Sequence, residues 1–502
     1  MSDSESAGFK LFGRNTAIYA IGNMALRGVA FLLLPLYTHG LSMTDYGRLA
    51  AILLTIEFLW MIMGAGMLDA VVRFSAASPD DRNAGALIGS ANALNFAAGA
   101  LTGFLCYLYL QPLFRAIWHV PDSSVYVILA STVALAQSLF LQNLAHLRVR
   151  NQAARFVTFS VIAATLILIL TIVFVNGFHL GILGVLLAQS LSYLVVTTAV
   201  LLSLTIKHRP GISLTLAREL LQFGFPLVFA MLGRRAIGGV AIYMLMLLAT
   251  MQNVAVYSVG SRIAQILAIV LILPFQLAFQ PMLFSNLDKA NLKALLSRIL
   301  TYLTLATAAL SFLILVSSRF LLPLIAPATY TGATLVIALS LPAIGLQGIG
   351  YFAEGLLNVE HQSKRIGAAY IAGTVGSLVL GYFLIPRFGL IGALIATNIS
   401  YAVVSFALLF SGFRILPFPI EWRRMAISVG LFTILIPAVS LIWPLRDPAF
   451  YAVCFVSAMA AFVTLKLTTF FDKEESQAIR SIVSAAATKL AGLFTKPSLK
   501  RS

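Results

Sequence analysis

Fourteen long apolar runs, set apart by short breaks that hold nearly all the charge, constrain this chain more than any other feature. They fall at about 15–38, 47–72, 84–112, 124–146, 155–177, 180–206, 221–250, 253–281, 297–319, 331–357, 365–386, 388–412, 424–444 and 448–471. A helix that crosses a bilayer needs about 20 mostly apolar residues, and every run supplies them. Only 10% of the 502 residues are charged, where soluble domains hold about 25%. The chain therefore reads as an all-α integral membrane protein of about fourteen transmembrane helices. No hydrophilic stretch is long enough for a large soluble catalytic domain. Cys106 and Cys454 lie inside apolar runs and read as small core residues, with no disulfide framework and no metal site. The N-terminal MSDSESAGFK lacks the basic start and small-residue cleavage site of a signal peptide, so the first run is expected to persist as a helix.

The formal net charge is +17. In a soluble protein that would suggest nucleic acid. Here the basic residues sit in the breaks, where they set orientation in a membrane, and no nucleic-acid partner is expected. The N-terminus, every second break and the C-terminus together carry 25 of the 34 Lys and Arg residues. The alternate breaks carry only five: Arg48, Arg115, Arg319, Arg387 and Arg446. The positive-inside rule places both termini in the cytoplasm. The regular alternation also supports an even helix count.

An internal repeat organises the runs. Residues 181–196 read GILGVLLAQSLSYLVV and residues 389–404 read GLIGALIATNISYAVV, identical at eight of sixteen positions without a gap. The offset of 208 maps the sixth run onto the twelfth. Two six-helix lobes in the same orientation follow, residues 1–210 and 211–415, pseudo-symmetric about an axis along the membrane normal. Two extra helices occupy 416–471 and a cytoplasmic tail 472–502. In the second and eighth runs an offset of 211 aligns Tyr46 with Tyr257. Substrate sites in such folds lie between the halves, near mid-membrane.

Four arginines lie within runs: Arg27, Arg234, Arg235 and Arg262. One cation at the bilayer centre costs roughly 2.5–3.5 kcal/mol or more, so it must face water, a counterion or backbone carbonyls. The offset pairs Arg235 with Arg27, both mid-depth in the first helix of their lobe. Convergence of these arginines makes a cationic cavity, and guanidinium forks suit phosphate. Adjacent helical residues point about 100° apart, so only one of Arg234 and Arg235 is expected to face it squarely, and the offset favours Arg235. Arg262 is a weaker candidate that could snorkel outward. Glu57 is the one carboxylate deep in a run and could neutralise Arg27 or one of the pair. It is also the titratable candidate for ion or proton coupling. Glu354 and Asp69 lie toward the cytoplasmic ends, and Asp69 is expected to pair with Arg73 one turn away. Helix breakers in the same runs, Gly22, Gly28, Pro35, Gly224, Pro226, Gly233, Gly238 and Gly239, read equally well as hinges beside a cavity or as close-packing points. Gln137, Gln142, Asn143 and His146 on the fourth run are expected to bond neighbouring helices rather than line the cavity.

Several stretches carry a family resemblance. LLPLYTHGLSMTDYGRLA (33–50), GAGMLDAVVRFSA (64–76), LLQFGFPLVFAML (220–232), VAVYSVGSRIAQIL (254–267) and LIPRFGLIGALIATNISY (384–401) follow in order across nearly the whole chain. They resemble the polysaccharide transporter family of the multidrug/oligosaccharidyl-lipid/polysaccharide exporter superfamily. The resemblance implies two six-helix lobes around a central cavity that opens alternately to either side. It implies a flippase that carries a polyprenyl-diphosphate-linked oligosaccharide to the outer leaflet of a bacterial inner membrane, for O-antigen, lipopolysaccharide or exopolysaccharide synthesis. The arginines would hold the diphosphate and a side groove the lipid tail. Membrane lipids, and glycosyltransferases and a polymerase of the same pathway, are the implied partners. The chain departs from the pattern in the seventh run: many relatives place an acidic–basic pair near positions occupied here by the apolar Ala241 and Ile242.

The rival readings are a lipid II-type flippase or other superfamily exporter, a membrane glycan polymerase or glycosyltransferase, and a non-transporting scaffold. A multidrug antiporter usually has twelve helices, and this cavity would repel cationic drugs. The outer breaks are short, and their acids, Asp45, Asp122 and Asp447, form no catalytic carboxylate pair, so a transporter is expected rather than an enzyme. No GxxxxGK[ST] nucleotide motif is present, and no cofactor is implied. The tail segment DKEESQAIRSIVSAAATKLAGLF has the spacing of a surface-lying amphipathic helix or of an ordinary tail helix.

Overall fold

The computed structural model describes residues 28–77, 84–118, 123–207, 211–287, 289, 291–360, 362–441, 443, 447–468 and 470. Gly22, Arg27 and the tail segment lie outside them. The described residues contain no strand. The helices are α1 (Gly28–Gly40), α2 (Met43–Met63), α3 (Met67–Ala77), α4 (Ala84–Tyr109), α5 (Gln111–Trp118), α6 (Ser124–Val149), α7 (Ala153–Thr171), α8 (Gly181–Lys207), α9 (Leu214–Leu248), α10 (Met251–Ala264), α11 (Leu273–Phe284), α12 (Leu292–Ile325), α13 (Ala333–Val359), α14 (Ser363–Ile415), α15 (Trp422–Leu441) and α16 (Asp447–Leu467).

Eleven helical segments among the described residues are long and apolar enough to cross a membrane. One of them, α14, holds two of the predicted runs. Gly389, at φ 53°, reverses it, and Gly376 then lies beside Ser400, so its two arms fold back on each other. With α1 and α15, every one of the fourteen runs has its helix. Bulky apolar side chains such as Phe229, Leu277, Phe320 and Phe406 stay exposed. That pattern suits a protein whose outer solvent is hydrocarbon.

The described residues up to Lys289, with Ser317–Pro417, pack as one compact unit. Residues Ala290–Val316, with those from Phe418 onward, form a second. In the second unit Glu421 accepts the Thr301 hydroxyl at 3.0 Å and lies 3.4 Å from Arg424, and the Arg423 guanidinium donates to the Thr468 carbonyl.

Within the first unit the repeat is written into the hydrogen bonds. Ser190 and Asn398, 208 apart, donate to the carbonyls of Leu129 and Leu339. Thr197 and Ser405, also 208 apart, donate to Ala136 and Leu346. The sixth helix thus bonds the fourth as the twelfth bonds the tenth. Gly181 and Gly389 both take positive φ, a conformation that glycine adopts without strain, and each begins the returning helix. Ser42 caps α2 through the Asp45 amide and Thr250 caps α10 through the Asn253 amide. These caps keep the offset at 208, so the 211 suggested by the tyrosines is not the helix register. Tyr46 lies one turn past its cap, Ser42, and Tyr257 two turns past its cap, Thr250. The predicted run 47–72 also breaks, at Gly64–Gly66, where Ala65 and Gly66 take positive φ. In the eighth run the π-helix Ala268–Ile272 ends where the stretch matching this break begins.

The halves touch at both ends of the first unit. At one end the Thr38 hydroxyl donates to the Ile325 carbonyl, and the rings of Tyr46 and Tyr330 meet edge-on with centroids 6.3 Å apart. Gly47 there abuts the Met251 carbonyl. At the other end Gly66 lies against the Gly224 backbone, and Ser90 accepts the Ser213 amide at 2.9 Å.

Candidate functional site

The two adjacent arginines of α9 diverge as helical geometry requires, and each finds a carboxylate on a different helix. Arg235 reaches α2. Its Nε donates to Glu57 Oε1 at 2.6 Å and its Nη2 to Glu57 Oε2 at 2.7 Å, a bidentate, charge-assisted pair. The two side chains remain 30% and 38% exposed. Arg234 turns toward α13, where its Nη1 lies 3.9 Å from Glu354 Oε2, and its side chain is 40% exposed. Glu354 is buried and accepts the Tyr370 hydroxyl at 2.5 Å. The Arg234 Nε has no hydrogen-bond partner among the described residues. Mid-membrane cations that keep this much exposed surface must border polar space, because hydrocarbon would expel them.

The glycines that follow make the Arg235 geometry possible. An ideal Cβ on Gly238 would stand 3.3 Å from Arg235 Nη1, so the guanidinium lies along a strip of helix without a side chain. A Cβ on Gly239 would stand 2.8 Å from the Phe58 ring. Both positions serve close approach. α9 is helical throughout Gly224–Gly233, with Pro226 inside it. Gly224 packs backbone to backbone on Gly66. Pro35 remains within α1, where its carbonyl accepts from Thr38 and lies 2.9 Å from the His39 ring nitrogen.

Two expectations change. The predicted excess of positive charge shrinks, because Glu354 belongs to the arginine cluster instead of standing apart near the cytoplasmic end. Asp69 does not pair with Arg73. The Arg73 guanidinium lies 4.3 Å from the centre of the Phe223 ring, and Asp69 is within electrostatic reach of Arg234 and Arg148. Arg262, still partly exposed, is tied to a neighbouring helix. Its Nη1 meets the Ala30 carbonyl of α1 at 3.5 Å, within the field of the buried Tyr37 and Tyr46. The amides of the fourth run do bond neighbouring helices: Gln142 and Asn143 hold Asn95 and Asn92 of α4, and His146 meets Ser75 of α3 at 2.9 Å.

Sequence reading missed a polar chain beside the pair. α5 lies in the break that follows α4, yet Trp118 is fully buried and stacks on Phe114 at 4.7 Å. Its Nε1 donates to Thr55 Oγ1 at 3.3 Å, and Thr55 Oγ1 lies 2.9 Å from the Tyr243 hydroxyl. Thr55 precedes Glu57 by two residues and Tyr243 follows Arg235 by eight. The signal available was an eight-residue amphipathic segment, QPLFRAIW, in a break otherwise read only for charge.

Helices in two repeated sets, with two arginines of α9 set against carboxylates of α2 and α13, define a multi-pass integral membrane protein with the fold of the transporters of the MOP superfamily. A lipid II flippase, MurJ, in an inward closed conformation superposes with a TM-score of 0.68 at 14% identity, over 90% of this chain and 98% of that one. An outward-facing multidrug resistance MATE family transporter gives 0.61 at 17% identity, over 81% and 95%. A MOP superfamily transporter from Pyrococcus furiosus, described as having a binding pocket of reverse polarity, gives 0.57 at 17% identity, over 83% and 96%. Residues 12–287, more than half of the chain, match the family described as polysaccharide biosynthesis protein, and the chain belongs to that family. No curated protein sequence matches it.

Proposed function

We propose that this protein flips a polyprenyl-diphosphate-linked oligosaccharide from the cytoplasmic to the outer leaflet of a bacterial inner membrane by alternating access of two lobes, 1–210 and 211–415, with both termini cytoplasmic. The observation that carries this reading is the partly exposed arginine pair at mid-depth in α9, each arginine held by a carboxylate of another helix. Such a site can exchange a protein carboxylate for a diphosphate oxygen without leaving a bare cation in the membrane. Arg234, whose side chain is 40% exposed and whose Nη1 stands 3.9 Å from its carboxylate, is the readier donor. Arg235 must first release Glu57. Arg27, outside the described residues, is the candidate from the other lobe because the sequence repeat pairs it with Arg235. Membership of the polysaccharide biosynthesis family supports a glycan-bearing cargo, and glycosyltransferases and a polymerase of the same pathway are the natural partners. The likeness to a lipid II flippase keeps a lipid II-type cargo as the second reading.

A strain lacking the protein should accumulate lipid-linked oligosaccharide on the cytoplasmic leaflet. Accumulation of unpolymerised units outside would instead mark a polymerase, and unchanged lipid-linked pools would remove the flippase reading.

A further inference from the structure

The polar chain next to the arginines has a donor count that points outward. Thr55 has one hydroxyl proton, and it donates to the Ala51 carbonyl at 2.9 Å. The Thr55 oxygen then accepts, from Trp118 Nε1 and from Tyr243. Tyr243 has one proton as well, and this arrangement directs it to Thr55. The Tyr243 oxygen is left with acceptor capacity only. Its ring lies 6.2 Å from that of Phe58, tilted by 31°, and both residues are half-buried, as are Arg235 and Glu57. A neutral acceptor on an aromatic edge beside the Arg235 cation does not suit a phosphate, whose oxygens are themselves acceptors. It suits a hydroxyl donor carried by a molecule that also presents an anion.

We propose that Tyr243, backed by Phe58, is a carbohydrate subsite: it accepts a hydroxyl of the sugar next to the diphosphate, and the rings cover the apolar C–H face of that sugar. Trp118 and Thr55 are positioning residues that keep the Tyr243 acceptor turned to the ligand. This rests on the flippase reading and adds to it the residues that tell a glycan-bearing lipid from a bare polyprenyl diphosphate.

The test uses full-length protein in liposomes with two cargoes, polyprenyl diphosphate alone and the same lipid carrying an oligosaccharide. Tyr243→Phe removes the acceptor and keeps the ring. It should raise the half-saturating concentration for the glycan lipid on the order of tenfold, as loss of one hydrogen bond does, and leave that for the bare lipid unchanged. Phe58→Leu should act in the same direction. Thermal stability of each variant checks the fold, and Thr55→Ser, which keeps the oxygen, should behave as wild type. Equal weakening for both cargoes, or no change for either, overturns the subsite. Wild-type protein that moves neither cargo overturns the flippase reading and the subsite with it.

Discussion

Exchanging the charges of the Glu57–Arg235 pair separates packing from ligand contact. The pair is bidentate, with donor–acceptor distances of 2.6 and 2.7 Å. A hydrogen bond to a charged group contributes roughly 1.5–3 kcal/mol. Both side chains are about one-third exposed, so water screens part of that, and the pair is worth about 2 kcal/mol to the closed arrangement of α2 against α9. Glu57→Gln and Arg235→Gln should each lower thermal stability in detergent by about that amount. The double variant Glu57→Arg, Arg235→Glu restores the pair with its polarity reversed. It should recover stability to within about 1 kcal/mol, the range expected of a re-formed pair in a changed setting. Glycan export in a deletion strain should stay low, because the cation has left the side of Arg234. Export restored to wild-type level by the exchange would show that Arg235 serves only to pack the halves, and the ligand argument would fail.

Glu57→Gln should also tighten diphosphate binding, since it removes the anion that competes for Arg235; weaker binding would make Glu57 part of the seat rather than its occupant. Gly66→Ala should abolish folded yield in a membrane-insertion assay, because its Cβ would enter the Gly224 backbone and its φ is 71°, a region strained for alanine; normal yield would refute that close approach. Tyr330→Phe removes a buried hydroxyl without a hydrogen-bond partner among the described residues, so stability measured by thermal unfolding should hold or rise by about 1 kcal/mol, and a clear fall would show that the hydroxyl is bonded.

Much of the fold is legible in the sequence because a bilayer simplifies the code. Long apolar runs must be helices, and each of the fourteen runs coincides with helix among the described residues. The repeat is legible for a different reason. Gly181 and Gly389 are held by their positive φ, and Ser190, Thr197, Asn398 and Ser405 by hydrogen bonds to another helix. The arginine pair is visible because cations are expensive inside an apolar run. Its partners are less so. Glu354 meets Arg234 only because α13 and α9 both pack against α14, and spacing along one chain does not report that. Asp69 illustrates the opposite error: four-residue spacing suggests a pair with Arg73, but the neighbouring Phe223 ring takes the guanidinium. Trp118 was hidden by the assumption that a break between spans faces water.

Equilibrium binding of polyprenyl diphosphate to the purified protein tests the central claim most directly. The account predicts that Arg234→Ala and Arg235→Ala each weaken binding by about tenfold or more, the loss expected of one charge-assisted contact, while both variants remain folded. Unchanged affinity in both would contradict it.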